Sequence, residues 1–424
     1  MKLSLLDRAF YLLDGAHSPQ DFTLILDLRD VPDVDRFRDG ARSAMNRYPA
    51  SACSIARRTW RENRHFNLEI SETESDVERF VDARFDVRRR PPLKQLLMLN
   101  GSRARLATRF HHAATDGLSA ALWLGHQLNV AYGMETPQLE RALINGPTLR
   151  QSSQSVRRSE FAFKGASDPL RTSPTKRSGA RRWSTISFPS CELQKGCRRA
   201  GGFTYHDLLA TCTLEVFKQW NHDCRGGTPW PPHVTRNSCV EEGAATECRP
   251  YKKCRIGLWV PVNVRRESRE GFGNGTSRIR VYANYGDISL TEKCRAVRRQ
   301  VSWTTKHGEW AVPDNPWFTR LPDSVAGPLL RGYLQLPQVD MATGVFTHAG
   351  SWIANAGEAF KHVERIECVG LLHSRQNLAV NAATHAGHTW VTLTYDPAQL
   401  TTNDVQQLTH LYSEQIAQAR RELL

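Results

Sequence analysis

The chain has 424 residues, of which 40% are hydrophobic and 24% are charged. This composition is typical of a globular protein and excludes a wholly disordered chain, a collagen-like repeat and a coiled coil. The length predicts two or three domains, each able to bury its own core. No apolar run reaches the ~18 residues of a transmembrane helix. Because Asp7 and Arg8 interrupt the N-terminal apolar stretch, we predict a cytoplasmic protein without a secretion signal.

The net charge of +14 is concentrated in one part of the chain. Residues 150–199 hold twelve Lys and Arg but only three acidic residues. Residues 149–185 are rich in Ser, Pro and Gly without periodicity, which predicts a solvated linker. Such a linker can simply favour solubility, or it can dock an anionic partner such as a phosphate-bearing cofactor or an acidic carrier protein. No nucleic-acid-binding module is recognisable, so we expect no nucleic-acid partner.

The ten cysteines do not indicate a disulfide scaffold or a metal centre. In a reducing compartment the expected state is free thiols. No C-x-x-C pair occurs, so we predict no metal site. His385 and His388 lie in a predicted hairpin without carboxylate or Cys neighbours, which favours exposed turn residues over metal ligands.

Strands and helices alternate along the first part of the chain, as hydrophobic periodicity shows. An Asn-Gly pair, which accepts the backbone of a tight turn, predicts the position of a hairpin. The predicted elements are a strand over Asp21–Arg29, a helix from Val34 to Pro49, a hairpin over Lys94–Phe110 and a helix after Gly117.

The second part repeats this alternation. Its predicted elements are a helix opened by a Thr204–Asp207 capping box, a strand over Ile256–Val264, a hairpin over Leu378–Tyr395 and a C-terminal helix. Residues 222–254 read as a loop-like insertion rich in Gly, Pro and Cys. The class is therefore α/β or α+β, with a mixed sheet and flanking helices in each of two lobes. We place the lobes at residues 1–148 and 186–424, with the linker between them.

The most informative segment is the motif H-H-x-x-x-D-G at residues 111–117, between a predicted strand and a predicted helix. A neutral histidine in such a loop can take a proton from a hydroxyl or an amine. A buried Asp116 would need an arginine partner and would then hold the shape of the loop. Gly117 permits a close backbone approach that a Cβ would block. The alternative interpretation is that His111 and His112 merely pack at the end of a strand.

This motif resembles the signature of a superfamily that includes chloramphenicol acetyltransferase, nonribosomal peptide synthetase condensation domains, plant BAHD acyltransferases and wax ester synthases. Further segments are similar to family segments in the same order, namely residues 30–50, 85–99, 203–220, 259–265 and 272–275. The chain departs from the family in having no clear D-F-G-W-G motif.

The resemblance implies a two-lobed acyltransferase with a tunnel between its lobes. His112 corresponds to the catalytic general base, and Arg265 to an arginine that pairs with Asp116. His111, Asp116, Gly117 and Arg265 would support the site.

The implied donor is acyl-CoA or an acyl-phosphopantetheine on a carrier protein, and the implied acceptor is an alcohol or an amine. Transfer would proceed without an acyl-enzyme, a permanent cofactor or a metal, and we expect a monomer. The competing hypothesis is a non-catalytic, condensation-like interaction module that docks an acidic carrier protein or another anionic partner.

Overall fold

A computed structural model describes residues 3–56, 58–136, 161, 167–173, 176–223, 255–265, 272–308, 310, 317–336, 339, 341–350, 357–373 and 375–424. The predicted insertion over 222–254, apart from its first two residues, lies outside the described residues. Residues 149–160 of the predicted linker also lie outside them.

The described elements alternate between strands and helices, as the sequence predicts. In chain order they are α1 (Leu5–Leu13), β1 (Asp21–Leu28), α2 (Val34–Arg47), β2 (Cys53–Ala56), β3 (Thr59–Glu62), β4 (Leu68–Ser71), α3 (Ser75–Asp82), β5 (Leu93–Asn100), β6 (Arg103–His111), α4 (Gly117–Ala131), β7 (Arg182–Pro189), α5 (Cys191–Ala200), α6 (Tyr205–Asp223), β8 (Gly257–Asn263), β9 (Thr276–Tyr282), α7 (Leu290–Lys306), α8 (Asp323–Gln335), β10 (Gly344–Ala349), β11 (Val363–Val369), β12 (Leu378–His385), β13 (His388–Tyr395) and α9 (Thr402–Leu423).

The first sheet has the strand order β11-β1-β6-β5-β4. Strands β5 and β6 form the predicted hairpin, and Gly101 at its turn has a φ of +59°, a backbone conformation that glycine adopts without strain. Helices α2 and α4 pack together and contribute to a buried core with strands of this sheet. Because β6 leads directly into α4, the loop between them is held by a central strand and a buried helix.

The second sheet has the strand order β7-β13-β12-β10-β8-β9. One face is covered by α5, α6, α7 and α9, which share the largest buried cluster with apolar residues of β8 and β9. The predicted capping box begins α6, where the Thr204 amide donates to Asp207 Oδ2 at 2.8 Å. The predicted fold class of two mixed sheets flanked by helices is therefore confirmed.

Strand β11 connects the two halves of the molecule. It comes from the second half of the chain, yet it pairs with β1 at the edge of the first sheet. It also contacts β12 and β13 of the second sheet. The boundary between two lobes at residues 149–185 remains a prediction.

The described end of the predicted linker is packed against the first sheet at Arg181, whereas Lys176 and Ser178 are exposed. Arg181 is 1% exposed, and its guanidinium lies 2.9 Å from Asp21 Oδ1. The same group donates to the carbonyl oxygens of Asp21 and Val81 at 2.8 and 2.7 Å. Burial raises the pKa of Asp21, but the Arg109 and Arg181 guanidiniums outweigh it and lower that pKa to about 2. The interpretation of this segment as solvated was wrong at Arg181, because a buried carboxylate requires a cation there.

The described cysteines are free thiols, namely Cys53, Cys191, Cys197, Cys212, Cys294 and Cys368. In the described ranges no group of three or more metal-ligating side chains comes together. His388 is exposed at the turn between β12 and β13, whereas His385 beside it is partly buried. None of the helices in the described part of the chain combines the length and the apolar character needed to cross a membrane.

Candidate active site

The H-H-x-x-x-D-G motif lies where β6 ends and α4 begins. His111 is the last residue of the strand, and Gly117 is the first residue of the helix. Asp116 caps the helix, because its Oδ1 accepts a hydrogen bond from the Ser119 amide at 3.0 Å. A side-chain acceptor at this position satisfies an amide that the helix leaves without an intrahelical partner. The end of β6 and the capped start of α4 therefore hold both ends of the loop that carries His112.

Asp116 is 1% exposed and is bound on both carboxylate oxygens. Its Oδ2 accepts from Arg265 Nη1 at 2.8 Å, from the Gly275 amide at 2.9 Å and from Thr276 Oγ1 at 2.8 Å. Its Oδ1 accepts from Arg265 Nη2 at 3.0 Å. Burial raises the pKa of Asp116, but the Arg265 charge and these hydrogen bonds outweigh it, and the pKa is lowered. A carboxylate held in this way stays ionised and braces the loop.

Arg265 follows β8 and brings the second sheet against the motif. It is 1% exposed, and besides Asp116 its Nη2 donates to Ser119 Oγ at 3.0 Å and to the Gly273 carbonyl at 2.8 Å. A Cβ at Gly275 would lie 2.7 Å from Arg265 Nη1, so glycine is required for this close approach. The structure thus brings together Asp116 and Arg265, which lie 149 residues apart.

His111 points away from the bracing pair. It is fully buried, and its Nδ1 accepts the Ala113 amide at 3.1 Å. Its Nε2 lies 3.7 Å from Asp14 Oδ2. Because Nδ1 is an acceptor, the ring proton is assigned to Nε2, which faces the Asp14 carboxylate. His111 therefore supports the shape of the loop through its hydrogen bond with the Ala113 amide.

His112 is held through its backbone from two directions. Its amide donates to the Gln20 carbonyl at 2.8 Å, and its carbonyl accepts from Asn274 Nδ2 at 2.8 Å. Its ring lies 4.9 Å from the Phe10 ring in a stacked arrangement and 4.7 Å from the Phe22 ring. Nδ1 is buried, and the Thr115 backbone lies close enough to the ring to oppose part of the lowering of its pKa. Nε2 is therefore the ring nitrogen that a substrate can approach.

The surroundings of His112 keep the imidazole neutral. Burial lowers its pKa to about 4, and the attraction of Asp116 opposes this effect without overcoming it. At neutral pH the ring is therefore unprotonated, which is the form that accepts a proton. Because Asp116 is fully engaged by Arg265, Gly275 and Thr276, it is not available to take that proton from the ring.

A cavity of about 470 Å³ lies near the motif, although His112 is not among the residues that line it. Gln20, whose carbonyl accepts the His112 amide, lines this cavity together with His373. The close approach of His112 to His373 contributes to lowering the pKa of His373, although burial is the largest cause. Three basic side chains, Lys176, Arg177 and Arg331, also line it. Gln20 and His373 therefore connect the loop that carries His112 to a space large enough for a small molecule or an extended chain.

Several supporting residues were not singled out from the sequence. Asn274 lies in the F-G-N-G segment that resembles the family, but its hydrogen bond to the His112 carbonyl was not predicted. Thr276 and Ser119 complete the shell around Asp116 and Arg265. In the sequence they are recognisable only as small polar residues near a motif, and such residues are too common to indicate a role.

The buried histidines predict a loss of stability in acid. Burial lowers the pKa to about 4 for His112 and His126 and to about 3 for His348. Between pH 6.5 and these values the unfolded chain binds protons that the folded chain does not, so stability is full above pH 6.5 and falls as pH falls. At pH 5 each such histidine lowers the free energy of unfolding by up to about 2 kcal/mol. Asp7 acts in the opposite direction, because burial raises its pKa to about 6.

We therefore expect a lower urea midpoint at pH 5 than at pH 7. The His112→Ala variant should show a smaller difference between the two pH values, because it lacks one of the groups. An equal or higher midpoint of the wild-type protein at pH 5 would contradict the assignment of these histidines as buried and neutral.

Comparison with solved structures identifies the fold. The first condensation domain of the CDA synthetase superposes with a TM-score of 0.65 at 12% identity, covering 100% of this chain and 96% of that chain. The trichothecene 15-O-acetyltransferase TRI3 from Fusarium sporotrichioides gives 0.63 at 12% identity, covering 98% and 94%. A variant of the starter condensation domain of rhizomide synthetase, in complex with C8-CoA, gives 0.62 at 10% identity, covering 98% and 94%.

The chain therefore has the two-lobed fold of condensation domains and of this acetyltransferase, and the fold implied by the resemblance is confirmed. No protein-family model matches the chain, and no curated protein matches it in sequence.

Proposed function

We propose that the protein is an acyltransferase that moves an acyl group from a thioester to a hydroxyl or amine acceptor. The acceptor oxygen or nitrogen forms a bond to the thioester carbonyl carbon while its proton passes to Nε2 of His112. The tetrahedral intermediate then collapses with cleavage of the C–S bond, and the proton passes from His112 to the leaving thiolate. No acyl-enzyme is formed.

The observation that carries this proposal is the state of His112. The pKa is lowered to about 4 by burial, so the imidazole is a neutral base at physiological pH. Its Nδ1 is buried, and its backbone is fixed by Gln20 and Asn274, so Nε2 has a set direction. A positioned base of this kind accelerates proton transfer from a bound nucleophile.

The bracing of Asp116 supports the same mechanism. A carboxylate that binds Arg265, two backbone amides and a threonine hydroxyl cannot rearrange without exposing unpaired charge. Its part in the reaction is therefore to hold the loop, while His112 moves the proton.

Two features favour a thioester as the donor. The starter condensation domain with the same fold was solved with C8-CoA, an acyl thioester. The cavity lined by Gln20 and His373 also carries Lys176, Arg331 and Arg177, the last of which lies 3.6 Å from Asp396, and such cations suit the phosphates of coenzyme A or of a carrier's phosphopantetheine. Lys176 and Arg177 belong to the segment in which the sequence predicted a docking surface for an anionic partner.

The experiment compares small molecules in cells that express the wild-type protein, His112→Ala and His388→Ala. His388 is an exposed histidine on the β12–β13 turn, so its variant controls for the loss of a histidine as such. We expect an ester or amide product with wild type and His388→Ala that is missing with His112→Ala. Purified proteins are then tested with acyl-CoA and acyl-carrier thioesters against the acceptor that the product identifies.

Equal product formation by folded His112→Ala would overturn the mechanism. Tight binding of an acidic carrier protein without transfer of any acyl group would instead favour the non-catalytic interaction module.

A further inference from the structure

Arg278 stands out among the basic residues near the site because of where β9 places it. Alternate residues of this strand point to opposite faces. Ile279 and Val281 enter the core beneath the helices of the second sheet, so Arg278 and Arg280 lie on the other face. Thr276, which donates to Asp116, belongs to this same face. The face that carries Arg278 is therefore the one that meets the H-H-x-x-x-D-G motif.

Arg278 lies on β9, shortly after two residues bound to the H-H-x-x-x-D-G motif. Asn274 binds the His112 carbonyl and Thr276 binds Asp116, both at 2.8 Å. Arg278 follows Thr276 by two residues, which is about 7 Å along a strand. Arg278 and His112 both lie near enough to His373 to help burial lower its pKa. His373 lines the cavity near the motif, and the Trp259 ring lies between His373 and Arg278, at 5.0 Å from the one and 3.5 Å from the other.

The guanidinium of Arg278 has no carboxylate partner in the described ranges. Its Cζ lies 3.5 Å from the centre of the Trp259 ring, and this ring in turn meets His373 edge-on at 5.0 Å. Trp259 pairs with Arg280 across β8 and β9, so Arg278 is its diagonal neighbour on the same face. Stacking on an aromatic face holds a guanidinium flat and leaves its N–H donors free at the edge.

Three buried arginines of the described chain, unlike Arg278, have carboxylate partners. Arg109 and Arg181 share Asp21, and Arg265 binds Asp116. Arg278 is accessible to solvent, yet burial lowers its pKa to about 10 and the nearby Arg280 adds to the effect. The guanidinium is covered on one side by the Trp259 ring and is open to solvent elsewhere. An anion bound there would compensate a charge that the protein leaves uncompensated.

We infer that the acyl acceptor carries a carboxylate close to its reacting hydroxyl or amine, and that Arg278 binds this carboxylate while His112 takes the proton. The inference rests on the proposed function. A planar guanidinium fork fits a carboxylate through two parallel hydrogen bonds. The phosphates of the thioester donor do not suit this position, because the whole pantetheine arm separates them from the reacting carbonyl. Arg278, in contrast, is about 7 Å along the strand from a residue that binds the motif aspartate.

The cavity wall agrees with an anionic occupant. In the described part of the chain Lys176 has no ion-pair partner. Arg331 donates to the main-chain carbonyls of Leu12 and Asp14, at 2.6 and 3.4 Å, and to no carboxylate that the structure describes. The positive potential of these groups raises the local concentration of anions. The cavity cations suit the phosphates of the thioester donor, and Arg278, which does not line this cavity, is left to bind the carboxylate of the acceptor.

The test is ligand-observed NMR with pairs of compounds that differ only in the carboxylate. The probes are 3-hydroxyoctanoate, 3-phenyllactate, leucine and phenylalanine, each measured against its methyl ester. We expect wild type to bind at least one free acid about tenfold or more tightly than its ester, because a charged hydrogen-bond pair is at stake. The Arg278→Gln variant should reduce this preference to within about twofold, and Arg278→Lys should retain part of it.

The matched control is Arg198→Gln, which removes the same charge from an exposed position on α5. Residues of α5 pack into the core beneath the opposite face of the sheet, so the preference for acids should be unchanged. Folding of each variant is checked by circular dichroism and thermal unfolding. Wild type that shows no acid preference in any pair, or Arg278→Gln that keeps it, overturns the inference. A preference found only for acyl thioesters with a distal carboxylate, and not for the acceptors, also overturns it.

Binding needs no turnover, so the two proposals can fail separately. The His112→Ala variant should retain the preference for acids although it transfers no acyl group. Acid binding without acyl transfer would leave the Arg278 site standing and remove the proposed reaction. Acyl transfer at equal rates to acceptors with and without a carboxylate would support the proposed reaction and remove the Arg278 site.

Discussion

Replacement of Arg265 by methionine is expected to lower the free energy of unfolding by about 3–5 kcal/mol, the usual cost of leaving one partner of a buried ion pair alone. Both partners are 1% exposed, so water cannot replace the guanidinium at Asp116. The variant also removes the donors to Ser119 and to the Gly273 carbonyl. Since Arg265 joins the second sheet to the loop of the first, the loss affects the site as well as the fold.

Urea unfolding measures this effect, with two further variants as controls. The double variant Asp116→Asn, Arg265→Met has no buried unpaired charge, so we expect it to be more stable than Arg265→Met alone. The variant Arg42→Met breaks an exposed ion pair with Asp39 and should change stability by no more than about 0.5 kcal/mol. A loss in Arg265→Met as small as that in Arg42→Met would show that the Asp116 pair does not hold the loop.

The second large effect is on catalysis. His112→Ala is expected to lower kcat/KM for acyl transfer by about 10²–10⁴-fold, the range that a positioned general base contributes. The fold should survive, because the ring closely contacts the Phe10 and Phe22 rings, whereas the backbone hydrogen bonds that hold the loop are kept by alanine. Binding of the thioester should change little, since the lost interaction is with the proton of the acceptor.

Steady-state kinetics of purified His112→Ala, with His388→Ala measured beside it, test this expectation. The control variant should keep the wild-type kcat/KM, because its histidine is exposed on a turn of the second sheet. A loss in both variants, or in neither, would remove His112 from the mechanism.

The local part of this architecture follows from the sequence. An apolar strand that runs into H-H-x-x-x-D-G, followed by a helical pattern, predicts the strand, loop and helix that carry His112. The hairpin at Gly101 and the capping box at Thr204 are also encoded by neighbouring residues. The Arg265 contact to Asp116 came from the resemblance, because no local pattern relates residues 149 positions apart.

The parts that could not be predicted depend on long-range packing. Strand β11 joins the first sheet although it comes late in the chain, and no pattern of neighbouring residues relates it to β1. Arg181 lies in a segment with the composition of a linker, but it is buried because it pairs with the buried carboxylate of Asp21. Arg278 belongs to a strand that alternates cations with apolar residues, a pattern that is equally common on solvated faces.

The most direct test of the account is the rate of acyl transfer by folded His112→Ala with and without added imidazole, after subtraction of the uncatalysed reaction. If His112 supplies only a base, a free imidazole in the space that alanine leaves should restore part of the rate, in proportion to its concentration. The variant Asp116→Asn, in which the loop itself is disturbed, should show no such rescue. Wild-type activity in His112→Ala without imidazole, or an equal response of both variants to it, would contradict the account.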